Sequence, residues 1–274
     1  MPSTEVWVLS LVTVFVVLLI VLFSRRAQRP PKLALALPQE LRSRYVRELD
    51  LAAGRCGVSA SAFVDPMPEY HRRQYGALRR FTRAGGGVVK LPSDLKAALV
   101  AEYASRRHKA VKESGPNFVA FGPEEQRPTM VWLTGSQALE ALHRFLQQEL
   151  EAWAASGPLE HTATYGIREY HRGSKLEQHV DRPHTHAISA IVNVATEGLE
   201  HEWPLHLLPH DASEVCAVKL RDASADVLFY ESATVPHGRL DALAGDCYAN
   251  VFVHYRPTGW KEHATAVMGP PPAS

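Results

Sequence analysis

TYGIREYHRGSKLEQHVDR, Thr164–Arg182, and the later ADVLFYESATVPHGR, Ala225–Arg239, decide how this chain is read. In an extended strand side chains alternate between faces, so His179 and Asp181, two apart, point to one side while Val180 points to the other. A third ligand on the same strand would lie too far away, so a neighbouring strand has to supply it, and His237 is the candidate. Two imidazoles and one carboxylate on a β scaffold make the facial ligand set suited to iron(II), with positions left open for substrate and dioxygen. His-x-Asp alone is a weak signal in a chain with 14 histidines and 29 acidic residues. His184 and His186 crowd the same segment; His186 has a spacing that fits a ligand, and a loop or strand-start histidine is the simpler reading. A zinc hydrolase would use the same residue types, but the sequence has no HExxH and no general-base glutamate on a metal-binding helix.

Around these two stretches the texture from His161 onward is one of short β-branched and aromatic runs separated by Gly, Pro and Asp, which predicts a jelly roll. Strands are expected at Ala163–Tyr170, Ala187–Val194, Leu205–Leu208, Val215–Leu220, Asp226–Tyr230 and Tyr248–Tyr255. Before His161 the pattern is helical. Helices are expected behind Pro38, over Glu69–Arg83 up to the glycines at 85–87, from Pro92-Ser93-Asp94 through residue 112, and from Thr134 or Ser136 to Gly157-Pro158. The last carries an apolar stripe of Leu139, Leu142, Leu146, Leu150 and Trp153. The expected fold class is therefore α+β, a double-stranded β-helix (jelly roll) behind a helical region.

Farther out, Val6–Phe23 is an uncharged run, VWVLSLVTVFVVLLIVLF. As a helix its roughly 18 residues reach about 27 Å, close to the hydrocarbon thickness of a bilayer. No basic residue precedes it, and Arg25, Arg26, Arg29 and Lys32 follow, which favours an uncleaved transmembrane helix with the rest of the chain in the cytosol; the endoplasmic reticulum lumen is the alternative. The expected organisation is an anchor at 1–24, a tether at 25–37, a helical support region at 38–158, a jelly-roll core at 159–257 and a tail at 258–274. A net charge of +1 offers no cationic field for nucleic acid. Cys56, Cys216 and Cys247 are odd in number and widely spaced, which fits neither a disulfide framework nor a zinc ribbon.

The order Tyr170, Gly173, His179, Asp181, then an apolar strand and a polar segment leading into His237, resembles the prolyl 4-hydroxylase branch of the iron(II)/2-oxoglutarate-dependent dioxygenases over Thr162–Pro257. The resemblance implies iron(II) on His179, Asp181 and His237, 2-oxoglutarate as cosubstrate, ascorbate as an auxiliary reductant, and hydroxylation of a C–H bond, with peptidyl proline as the candidate substrate. It also implies a Lys or Arg about ten residues past the second histidine to hold the distal carboxylate of 2-oxoglutarate. That count reaches Cys247, which cannot replace a cation. Losing the partner of a desolvated carboxylate costs about 3–5 kcal/mol, so another group is needed. Arg239, with a planar fork that binds a carboxylate bidentately, is the first candidate; Tyr170, Arg168 and Asn250 are further ones, and Arg182 lies close enough to the ligands to contact substrate. Val251 and Phe252 are candidates for the apolar wall of the site. The competing reading of Cys247 is a degenerate module that keeps metal and has lost turnover.

Overall fold

The computed structural model describes residues 47–48, 54–114, 118–220 and 225–261. The expected membrane span at Val6–Phe23, the tether and nearly all of the tail lie outside the described residues; among those described, no helix is long and apolar enough to cross a membrane.

Two antiparallel sheets form the jelly-roll-like body. Its strands are β1 (Arg47–Glu48), β2 (Arg55–Ser59), β3 (Gly86–Lys90), β4 (Val111–Lys112), β5 (Val119–Ala120), β6 (Thr129–Val131), β7 (Leu159–Ala163), β8 (Ile167–His171), β9 (Lys175–His179), β10 (Ile188–Glu197), β11 (Leu205–Leu207), β12 (Glu214–Val218), β13 (Asp226–Tyr230), β14 (His237–Arg239) and β15 (Cys247–Pro257). The major sheet runs β1-β3-β13-β10-β15-β8-β6-β4, with β7 also pairing with β15; the minor sheet runs β2-β12-β11-β14-β9-β5.

Strand alternation sorts the residues of the major sheet into two faces. Ile191 and Leu228, opposite each other in the register, point inward with Phe252, Tyr248, Tyr170 and Tyr230 to meet Leu205, Leu207 and Val218 of the minor sheet. The other face meets the helices: Trp153 packs on Phe229, and the Tyr255 hydroxyl donates to the His143 carbonyl at 3.0 Å. Both of these contacts come from α4 (Gln137–Ala154), whose N-cap Ser136 accepts the Leu139 N–H and whose chain turns left-handed at Ala155, φ 47°. That is the expected helix, ended two residues before Gly157. Val251 belongs to this outer face and Phe252 to the inner one, so of the two candidate wall residues only Phe252 faces the interior.

The first half is less helical than its periodicity predicts. Arg47 and Glu48, expected in a helix, pair with Val88 and Gly87 at the sheet edge. After the short α1 (Ala60–Val64), α2 spans Glu69–Ala77 and stops before the expected Arg83, because Leu78 turns extended into the core and the Glu231 carboxylate takes the Phe81 and Thr82 N–H groups. Helix α3 (Ser93–Arg106) gives way to a 3-10 turn at Arg107–Lys109 and then to β4, where a continuous helix was expected. Between Leu159 and His171 the one expected strand is two, separated at Gly166, φ 103°.

Candidate metal centre

His179 closes β9 and His237 opens β14, and the two are direct partners in the register. Asp181 lies two residues past the end of β9, where its N–H donates to the Ser232 carbonyl at 2.8 Å. The expected geometry is present: ligand atoms of His179, Asp181 and His237 all lie within 4.8 Å of one another. Asp181 Oδ1 is 3.6 Å from His179 Nε2 and 3.9 Å from His237 Nε2. Val180 points the opposite way, into a second apolar cluster with Phe63, Val64, Met67, Leu208 and Val215.

Both histidines are fixed by the backbone two residues earlier. His179 Nδ1 bonds the Glu177 carbonyl at 2.7 Å and His237 Nδ1 the Val235 carbonyl at 2.9 Å. A carbonyl only accepts, so each Nδ1 carries the proton and each Nε2 presents a lone pair to the site. Burial, with help from His179, lowers the His237 pKa to about 4, which keeps the ring neutral at physiological pH. Burial disfavours the charge on Asp181, but the surrounding imidazoles of His179, His237, His254 and His186 outweigh it and hold the group well below the usual carboxylate range. Asp181 Oδ2 is buried with no hydrogen-bond partner. Two imidazole nitrogens and an ionised carboxylate with a free acceptor suit a divalent cation.

His186 does not join the set. It stacks on His254, centroids 3.7 Å apart, and bonds the Thr185 hydroxyl at 2.6 Å. His254, which the sequence reading passes over, lies behind Asp181, its Nδ1 3.9 Å from Oδ2. A directional chain fixes it: Ser232 Oγ donates to the His186 carbonyl, Ser189 Oγ donates to Ser232 Oγ at 2.6 Å, and His254 Nδ1 then donates to Ser189 Oγ at 2.7 Å. On the other side Phe118 stacks on His179 at 4.3 Å and His71 packs on Phe118 at 5.0 Å.

The four cosubstrate candidates all face the interior. Tyr170 and Tyr248 are register partners, as are Arg168 and Asn250. Arg168 lies over the rings of Tyr170 and Phe252, bonds the Tyr170 hydroxyl at 3.3 Å and pairs with Glu113 at 2.5 Å. Arg168 Nε and Asn250 Nδ2 are buried donors without partners. Arg239 is 1% exposed, donates to the Trp203 carbonyl and lies between the rings of Trp203 and Tyr248, 4.1 and 4.6 Å from their centroids. Among the described residues it has no carboxylate partner. Cys247 faces the opposite way, toward Tyr103 of α3, its Sγ 3.8 Å from the hydroxyl. Arg182 is exposed beside Asp181.

No protein-family model and no curated protein matches the chain. Solved structures do. A prolyl-4-hydroxylase from Pseudomonas putida is 18% identical over 63% of this chain and 92% of that one, with a TM-score of 0.45. HygX from Streptomyces hygroscopicus, solved with nickel, 2-oxoglutarate and hygromycin B, is 15% identical over 66% of this chain and 86% of that one, TM-score 0.46. A Trichoplax adhaerens prolyl hydroxylase, solved with a peptide fragment of the hypoxia inducible factor oxygen degradation domain, is 12% identical over 72% of this chain and 93% of that one, TM-score 0.46.

Proposed function

We propose that this chain is a non-haem iron(II), 2-oxoglutarate-dependent oxygenase that hydroxylates an unactivated C–H bond. The observation that carries the reading is the convergence of His179, Asp181 and His237, the two imidazoles held by backbone carbonyls, beside an interior lined with unsatisfied donors and a buried cation. Iron(II), 2-oxoglutarate and dioxygen supply, when bound, the oxidant that takes hydrogen from carbon, and leave succinate and carbon dioxide. The protein's part is to bind, orient and exclude water. His179 and His237 would hold the metal through Nε2 and Asp181 through its carboxylate. Arg239 would hold the distal carboxylate of 2-oxoglutarate: a buried guanidinium with no acid beside it calls for an anion, whereas Arg168 already has Glu113. Tyr170, Arg168 and Asn250 complete the cradle. Phe252, Ile191 and Leu228 give it apolar walls, and the exposed Arg182, next to Asp181, would touch a substrate. A prolyl peptide is the first substrate to try, on the strength of the motif order from Tyr170 to His237, with ascorbate added as auxiliary reductant.

Anaerobic titration tests the reading. Adding iron(II) and then 2-oxoglutarate should raise a metal-to-ligand charge-transfer band in the visible. Stoichiometric iron binding without the band would favour a metal-binding module that has lost turnover; no iron binding would overturn both. We further propose that Val6–Phe23 anchors the chain in a membrane with the remainder in the cytosol, supported by the length of the run and the cations after it. Extraction by alkaline carbonate without detergent would contradict the anchor, and protection of the folded body from protease in sealed vesicles of known sidedness would reverse the orientation.

A further inference from the structure

Helix α2 has no place in a jelly roll, yet it touches the backbone of the ligand segment directly. His71 and Gln74, one turn apart and 4% and 2% exposed, form its buried face. His71 Nδ1 accepts the Val180 N–H at 3.4 Å. Gln74 Nε2 donates to two carbonyls, that of Asp181 at 2.6 Å and that of Ala233 at 3.0 Å. The amide fits only this way round, because turning it over would set its oxygen against two carbonyl oxygens.

The two carbonyls belong to the two halves of the metal centre. Asp181 lies beyond the end of β9, so the sheet ladder does not hold its C=O. Ala233 sits in a turn in which the Thr234 and Val235 N–H groups both donate to the Glu231 carbonyl at 2.8 Å. The Val235 carbonyl of that turn fixes His237 Nδ1, and its Ser232 carbonyl takes the Asp181 N–H. One side-chain nitrogen therefore ties the Asp181 segment to the turn that aims His237. From the far side the buried Glu231 carboxylate ties the same turn to the loop after α2, through the Phe81 N–H at 2.8 Å and the Thr82 N–H and hydroxyl at 2.7 Å.

We propose that Gln74 is a positioning residue of the metal centre: the α2 amide sets the separation of Asp181 from His237, and with it metal affinity and ligand field. The inference rests on the reading of His179, Asp181 and His237 as a metal site. Outer partners of metal ligands typically contribute 10–100-fold in affinity, and Gln74 acts on two ligand-bearing segments together.

The test uses the full chain and cobalt(II), whose visible d–d bands report coordination geometry. Gln74→Leu removes both donors; Gln74→Glu replaces them with oxygens that oppose both carbonyls. Both variants should bind cobalt(II) on the order of 10–100-fold more weakly than wild type and show altered d–d bands, while the metal-free circular dichroism stays that of a folded protein. A folded variant with wild-type affinity and bands would reduce Gln74 to an ordinary core hydrogen bond and overturn the proposal. Should neither variant fold, the wild-type protein decides: cobalt(II) or zinc(II) should shift the Gln74 side-chain amide resonances and slow their solvent exchange, and resonances indifferent to the metal would overturn it. Failure of the underlying reading looks different: wild-type protein binds no cobalt(II), or Asp181→Ala binds it unchanged.

Discussion

Asp181 is the residue on which the centre turns, since it alone contributes charge to the ligand set and its Oδ2 has no hydrogen-bond partner among the described residues. Asp181→Ala should abolish stoichiometric iron(II) or cobalt(II) binding, measured by metal analysis after anaerobic desalting, and retained occupancy would remove the site. Arg239 is tested by cosubstrate. Arg239→Ala should raise the 2-oxoglutarate concentration for half-maximal charge-transfer absorbance by roughly two to three and a half decades, as expected for about 3–5 kcal/mol lost with a buried partner. Arg168→Ala, which leaves Arg239 intact, should have the smaller effect, and the reverse ranking would assign the carboxylate to Arg168. At this scale the ligands were legible because the i, i+2 spacing of His179 and Asp181 and the motif order carry them. Gln74 and His254 were not, for their role comes from contacts made across 107 and 73 residues of chain that no local pattern encodes. Cys247 misled for a local reason: on β15 the inward positions are 248, 250, 252 and 254, so counting along the chain reached a residue on the wrong face.

Strands place these residues, and β14 is the shortest that matters. Gly238, between His237 and Arg239, lets β14 lie close to β9: a Cβ there would stand 2.9 Å from the Leu176 carbonyl oxygen and 3.1 Å from backbone atoms of Gln178. Backbone cannot swing aside as a side chain can. Gly238→Ala should push the two strands apart, weaken cobalt(II) binding at least tenfold and lower the melting temperature; unchanged cobalt affinity would show that the pairing tolerates the shift. Gly166 has the matching role between β7 and β8, combining φ 103° with a Cβ position 2.5 Å from the Val131 oxygen. The long elements were legible, α4 from its apolar stripe and β10 and β15 from their apolar runs. Strands β1 to β6 were not, since such short segments offer too little periodicity: β2, β3, β5 and β6 take their form from pairing with β12, β13, β9 and β8, and β1 and β4 from pairing with β3 and β6.

Across the whole molecule, neutral buried histidines make stability depend on acid. Burial is the main cause in each case, lowering His71, His143 and His237 to about 4 and His254 to about 3. These groups protonate in the unfolded chain near its ordinary value of about 6.5, while the folded protein resists, so the unfolded state binds more protons between about pH 6.5 and 4. Their contribution is complete above pH 6.5 and is lost as pH falls through that window. Metal-free protein should therefore lose stability on the order of several kcal/mol between pH 7.5 and 4.5 in chemical denaturation, and a flat profile would mean that the rings are hydrated. The order of the strands has a consequence for biosynthesis. Among the described residues β15 is the last strand, yet it lies at the centre of the major sheet, bonded to β10, β8 and β7. A ribosome that has translated everything up to Asp246 holds a polypeptide whose largest sheet is split down the middle, with unpaired edges and exposed Val and Ile. Such a nascent chain exposes aggregation-prone surface until β15 leaves the exit tunnel, and it should stay sensitive to protease when translation is stalled before Cys247 and become resistant once Pro257 has emerged.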